Sequence, residues 1–277
     1  MGSEMCIRDS LMADYILCSW CQANNPQGST QCAVCGAPLN AKEIVSDSGW
    51  REAPRLREME EFAFSSSTLQ VSGKNTPVAE INLSSSDSVY YEPHAMLVKE
   101  PSVPVHAMTT AGGRRVGGMP FYLTIAGGPG RVAFSRNSPG ELVVMPIHTH
   151  TELDVREHAF VLASHTVNYD FVRIKGLANM LHGGAGGMYL DRFKAEGEPG
   201  IILIHGAGDV MQKTLKEGEK ILVEPGKFLY KDSSVTLNTV PLEGVKTGMF
   251  GRKLFVGEFV GPGRVGIQSS YHHNETE

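Results

Sequence analysis

Three stretches of this 277-residue chain align with one another, and that repetition constrains the fold more than any local propensity. Glu92-Pro-His-Ala-Met-Leu-Val, Arg156-Glu-His-Ala-Phe-Val-Leu and Glu224-Pro-Gly-Lys-Phe-Leu-Tyr share one frame. In that frame His94, His158 and Gly226 correspond, at offsets of 64 and then 68 residues. Met96, Phe160 and Phe228 correspond as well, as do Val103, Val167 and Val235. A later match sets Phe121-Tyr-Leu and Gly128-Pro-Gly-Arg-Val132 against Leu254-Phe-Val and Gly261-Pro-Gly-Arg-Val265, with the looser Met188-Tyr-Leu and Glu198-Pro-Gly-Ile201 between them. Gly-Pro-Gly between apolar runs is turn chemistry, because Pro presets φ and Gly accepts positive φ. Each match therefore reads as two strands joined by a tight turn.

The chain has 31 Gly and 15 Pro, and such a turn-rich composition belongs to all-β proteins with short strands. The predicted fold is all-β. Residues 69–271 form three repeated antiparallel β-sandwich units of roughly 60 to 70 residues, each too small to be secure alone. Packing them about a pseudo-threefold axis hides their apolar faces and protects strand edges. Glycine runs such as His182-Gly-Gly-Ala-Gly-Gly187 lack the spacing of a phosphate loop opening a helix and read as close-packing turns.

Three segments carry a family resemblance: Phe255-Val-Gly-Glu-Phe-Val-Gly-Pro-Gly-Arg-Val-Gly-Ile-Gln-Ser269, Val223-Glu-Pro-Gly-Lys-Phe-Leu and Gly200-Ile-Ile-Leu-Ile-His-Gly-Ala-Gly-Asp-Val210. Together they resemble the altered-inheritance-of-mitochondria, mitochondrial-biogenesis-like family over nearly all of residues 69–271. The resemblance implies a β-sandwich repeat similar to the tryptophan RNA-binding attenuator protein. It implies an assembly or interaction role with a protein partner, and it brings no catalytic residue. The chain departs from the family at Gly266, where relatives often carry an aromatic, and the departure is expected to thin the last strand.

Ahead of this domain, Cys18-Ser-Trp-Cys21 and Cys32-Ala-Val-Cys35 are two Cys-x-x-Cys turns ten residues apart. Such turns let backbone amides face the sulfurs while four thiolates close a tetrahedral site. The expected cofactor is structural Zn2+ on Cys18, Cys21, Cys32 and Cys35, within a zinc ribbon at residues 14–40. Two disulfides are the rival, but no secretory leader argues for an oxidising compartment. The spacing, Asn25 and the Gly36-Ala-Pro-Leu39 exit resemble Ran-binding-protein-type zinc fingers, some of which bind RNA, ubiquitin or protein. Between Cys18 and Cys35 there is no Lys or Arg to meet phosphates. The family's Trp two residues before the first Cys is Ile16 here, and Trp20 reads as a cover for the small metal-stapled core. Residues 1–13 read as a non-native-looking leader and 272–277 as a frayed tail. Residues 41–68 read as a linker, with Leu56, Met59 and Phe62 three apart marking one short helix and Ser65-Ser66-Ser67 a flexible spacer.

A net charge of −5 weighs against a nucleic-acid partner, and no apolar run is long enough for a spanning helix. The location expected is cytoplasmic, and a homo-oligomer is compatible with the β domain. Of the 10 histidines, His148-Thr-His150 is the best metal candidate, since residues two apart in a strand share a face and Glu152, Asp154 and Glu157 lie close by. That run resembles a degenerate cupin motif, although the acidic position is Asp and no third histidine follows. The main reading is a non-enzymatic zinc-containing scaffold. The alternatives are a cupin-like metal enzyme using His148 and His150, and an RNA-binding protein. Arg131 and Arg264, at matching turn positions, read as exposed turn arginines.

Overall fold

The computed structural model describes residues 15–18, 23–26, 29, 31–34, 39, 46–56, 58–109, 122–149, 151–174, 188–247 and 252–270. The chain divides into two compact units, residues 1–43 and 44–277. In the first, β1 (Tyr15–Leu17) pairs antiparallel with β2 (Asn24–Pro26). In the second, the described residues are all strand and turn apart from one 3-10 turn at Pro225–Lys227. No helix among them is long and apolar enough to cross a membrane.

The stretch expected to be a linker is built into the second unit. It holds β3 (Arg51–Glu52), β4 (Glu61–Phe64) and the start of β5 (Ser67–Ser72). Among the described residues no helix falls within residues 51–62. Met59 sits in a turn at φ 60 and is exposed, whereas Phe62 and Phe64 alternate inward from β4. A lone helix of that length is marginal in water, while a strand laid along β5 satisfies its backbone at once. The supposed serine spacer is the β4–β5 turn. Ser67 Oγ donates to Asp87 Oδ2 at 2.6 Å and accepts from the Ser84 amide at 2.9 Å, and the Ser66 amide donates to the same carboxylate.

Among the described residues eighteen strands follow, in three consecutive sets of six. The first set is β6 (Val78–Leu83), β7 (Ser88–Tyr91), β8 (Met96–Lys99), β9 (Val105–Thr109), β10 (Tyr122–Gly127) and β11 (Gly130–Ser135). The second is β12 (Gly140–Ile147), β13 (Glu152–Arg156), β14 (Phe160–Ser164), β15 (Val167–Ile174), β16 (Met188–Ala195) and β17 (Gly200–Ala207). The third is β18 (Val210–Leu215), β19 (Lys220–Val223), β20 (Phe228–Asp232), β21 (Thr236–Thr247), β22 (Arg252–Val260) and β23 (Gly263–Gln268). Every pairing is antiparallel. The sixth strand lies between the first and third, as in β6-β11-β8, β12-β17-β14 and β18-β23-β20. The fifth lies between the second and fourth, as in β7-β10-β9, β13-β16-β15 and β19-β22-β21.

This order corrects the reading of the Gly-Pro-Gly segments. They close no hairpin: β10 and β11, like β22 and β23, lie in different ladders, so each turn carries the chain from one ladder to the other. Gly130 and Gly263 take φ +138 and +136, and a Cβ on either would press into Val103 and Ser102 or into Ser234 and Val235. The frame that aligns His94 with His158 also aligns their backbones, at φ 73 and 67. Histidine is among the residue types that enter this region most readily.

Ladders of neighbouring sets join where β14 pairs with β7 and β20 with β13. A six-stranded sheet, β12-β17-β14-β7-β10-β9, and a seven-stranded one, β15-β16-β13-β20-β23-β18-β3, result. β17, flanked on both sides, is buried along its whole length, which its run Ile201-Ile202-Leu203-Ile204 permits. The main core centres on Phe160, whose ring lies 4.8 Å from Phe193 and 5.7 Å from Tyr90. A second core holds Phe228 and Phe259, 5.0 Å apart.

Gly266 does not thin its strand. A Cβ there would fall 2.1 Å from Tyr230 Cε1, because the Tyr230 ring occupies the space above the glycine. Tyr230 is fully buried and donates from its hydroxyl to Gln212 Oε1 at 2.8 Å, and burial holds its phenol pKa well above the ordinary value. The aromatic expected on the last strand is thus supplied by the strand beside it. Gly266→Ala should destabilise the second unit by about 1–3 kcal/mol, the usual cost of overpacking. A lower urea midpoint at unchanged slope would register it, and an unchanged midpoint would refute this account.

Candidate functional site

The cysteine module is organised around Asn25. Its side chain is buried, as are Cys18 and Cys32, which are 0 % and 3 % exposed. Asn25 Nδ2 donates to the Ala23 carbonyl at 3.0 Å and to Cys32 Sγ at 3.4 Å, while Oδ1 accepts from the Ala33 amide at 2.8 Å. The Val34 amide also donates to Cys32 Sγ at 3.4 Å, and the Cys18 amide closes the first turn on Ala23 O at 2.8 Å. Cys32 Sγ therefore receives one backbone and one side-chain N–H. Such donors stabilise sulfur as thiolate, the form that binds metal. The sequence signal for Asn25 was its place four residues after Cys21; its role as a sulfur donor was not legible. Cys21 and Cys35, the other two expected ligands, lie outside the described residues, as do Trp20 and the Gly36–Pro38 part of the exit.

The histidine candidate divides differently. His148 follows β12, in a turn where the Thr151 amide donates to its carbonyl at 2.9 Å, and His150 lies outside the described residues. The acidic partners of that motif are engaged elsewhere. Asp154 is 1 % exposed and accepts from Arg192 Nε at 2.7 Å, Arg192 Nη2 at 3.0 Å and Lys231 Nζ at 2.7 Å. Glu152 lies 3.2 Å from Lys194, and Glu157 lies 3.5 Å from His158 Nε2. Among the described residues no group of three or more His, Cys, Asp and Glu could hold a metal ion. His205 is buried in β17, and its amide donates to the Ala159 carbonyl at 2.8 Å. His182, His272 and His273 lie outside the described residues. Two open clefts, about 410 Å³ beside Arg55, Lys74 and Glu141 and about 310 Å³ beside Tyr90, Met108 and His165, do not include His148.

The two matching arginines are not alike. Arg131 is 62 % exposed, but Arg264 is 4 % exposed and makes a two-pronged ion pair with Asp232, Nη2 to Oδ1 at 2.8 Å. The expectation of two exposed turn arginines therefore fails at Arg264. Its partner stands 32 residues away, beyond the reach of local pattern.

Burial pushes the Asp154 carboxyl up, yet the Arg192 hydrogen bond and the charge and hydrogen bond of Lys231 outweigh it and hold the pKa below its usual value. A depressed folded pKa means that the group's contribution is complete above the unfolded value of about 3.9 and is lost as pH falls through the folded one. Asp154→Asn leaves Lys231 buried with a neutral partner and should cost about 3–5 kcal/mol at neutral pH. The deficit should shrink on acidification below about pH 4. Equal stability curves for variant and parent would refute the ion pair's role.

The mitochondrial biogenesis AIM24 family model matches residues 69–270. No match is found among curated proteins. A crystal structure of a Streptococcus pyogenes protein is similar in fold, with a TM-score of 0.59 and 19 % identity, over 74 % of this chain and 94 % of that one. The family match spans strands β6 to β23, together with most of β5. By that match the chain belongs to the mitochondrial biogenesis AIM24 family.

Proposed function

We propose that the protein is a non-enzymatic zinc-binding scaffold, a small zinc ribbon joined to a β domain of three six-stranded units about a pseudo-threefold axis. The observation that carries the β half is the common pairing order of the three strand sets, with the sixth strand between first and third and the fifth between second and fourth. A domain built this way offers sheet edges and faces rather than a reaction centre, and its work is assembly with protein partners. Arg192, Lys194 and Lys231 engage the acidic residues closest to His148, which supports a binding role over the cupin-like alternative.

The zinc half rests on Cys32, buried and in receipt of two N–H donors. With Cys18, Cys21 and Cys35 it supplies four thiolates, which leave no open coordination position, so the metal is structural. Thiolate zinc sites belong to reducing compartments, in keeping with a cytoplasmic location.

Metal content of the full chain, measured by mass spectrometry, should be one zinc per chain. Cys32→Ala should abolish it, and Asn25→Ala should weaken zinc affinity by about 10–100-fold through loss of the outer-shell donor. His148→Ala with His150→Ala should leave it unchanged. Absence of zinc would refute the metal half, and a metal that leaves with the histidines would favour the enzyme.

A further inference from the structure

The two joints between neighbouring sets match residue for residue, yet they are filled differently. At the first, β14 lies along β7 with Ala163 opposite Tyr90, and the His165 amide donates to the Ser88 carbonyl at 3.0 Å. At the second, β20 lies along β13 with Lys231 opposite Asp154, and the Ser233 amide donates to the Glu152 carbonyl at 3.0 Å. On the other side of β7, Ile125 stands opposite Tyr90 and Gly127 opposite Ser88. On the other side of β13, Arg192 stands opposite Asp154 and Lys194 opposite Glu152.

Charge fills the second joint. Arg192 and Lys231 both reach Asp154 at 2.7 Å, and Lys194 reaches Glu152 at 3.2 Å. At the first joint the places of those three cations are taken by Ile125, Ala163 and Gly127. What lies there is the open cleft of about 310 Å³, between the face of β7, β9 and β10 and the start of β15. Its apolar lining comes from Tyr90, Met108, Ile125 and Tyr169, the last three only partly buried where they pack on the main core. Both tyrosine hydroxyls are engaged within the fold. Tyr90 donates to the Val167 carbonyl at 2.9 Å and Tyr169 to Asp191 Oδ1 at 2.5 Å, which leaves their rings as apolar surface. Ser88, half-buried on the same face of β7 as Tyr90, and the exposed His165 are the polar groups beside them. Neither side chain has a hydrogen-bond partner among the described residues. No Lys, Arg, Asp or Glu is among the described residues that line the cleft.

We propose that this cleft binds a small, uncharged aromatic molecule that carries one hydrogen-bonding group. Apolar and aromatic walls with a few polar groups, at this volume, make a small-molecule site. Tyrosine rings and the Met108 thioether favour a flat aromatic guest. A formal charge on the guest would lose its water and find no ion-pair partner, so uncharged molecules are selected. Ser88 Oγ and the His165 imidazole are the groups that would meet its polar atom. The site stands on the pairing registers and the cleft, and it goes beyond the scaffold reading.

N-phenyl-1-naphthylamine, an uncharged aromatic amine that brightens on leaving water, is the probe, added to the full chain. It should bind saturably, with one site per chain. Its sulfonated relative, 1-anilinonaphthalene-8-sulfonate, should bind at least about tenfold more weakly. Met108→Trp, which fills the cleft from a partly buried position, should weaken the uncharged probe by about tenfold or more at an unchanged circular dichroism spectrum. Ser88→Ala combined with His165→Ala should weaken it by about 2- to 10-fold. In the parent, the Met108 methyl signal, assigned through Met108→Leu, should shift as the probe is added. Failure to saturate, equal affinity for the sulfonate, or binding that leaves the Met108 methyl signal unmoved and survives Met108→Trp would overturn the site. Zinc content, which tests the scaffold reading, is independent of all these outcomes.

Discussion

A strand satisfies its backbone only sideways, and in the second compact unit this requirement decides which segments become neighbours. Within each set of six strands, four ladders occupy both sides of the fifth and sixth strands and leave the other four with one open side each. β7 and β13 find their missing partners in the next set, at β14 and β20. Those joints turn separate three-stranded ladders into sheets of six and seven strands, and the large core around Phe160 is drawn from residues on both sides of the first joint. Buried amides left unpaired are expensive, so the joints fix the arrangement before any side chain is considered.

Side chains then fill the two joints in opposite ways. Tyr90 and Ala163 face each other across one, and Asp154 and Lys231 occupy the corresponding places across the other. The first gains from apolar burial outright. The second puts two charges out of water, and only the second cation, Arg192, and the short hydrogen bonds make that tolerable. A one-residue slip would set Asp154 opposite Tyr230 or Asp232 in place of Lys231, so the ion pair enforces alignment more than it adds stability.

The strand-rich class and the family were legible in the chain because turn residues and apolar runs are local properties. What the turns connect was not. Gly128-Pro129-Gly130 fixes a sharp change of direction, but nothing in those residues says whether the next strand returns to its neighbour or crosses to another ladder. Leu56, Met59 and Phe62 have helical spacing and Phe62 and Phe64 have strand spacing; the nearby edge of β5 decided between them. Gly266 looked like a missing aromatic until Tyr230, from another strand, was found above it. Asp232 and Arg264 likewise meet only through the fold. In the cysteine module the Cys-x-x-Cys spacing was visible, whereas the donation from Asn25 to Cys32 depends on a turn that brings them together.

The first and sixth strands of every set are hydrogen-bonded neighbours, as in β12 with β17 and β18 with β23. Each segment therefore begins and ends at the same place in the molecule. The links between the sets are correspondingly short, residues 136–139 before β12 and 208–209 before β18, and neither reroutes a strand already in place.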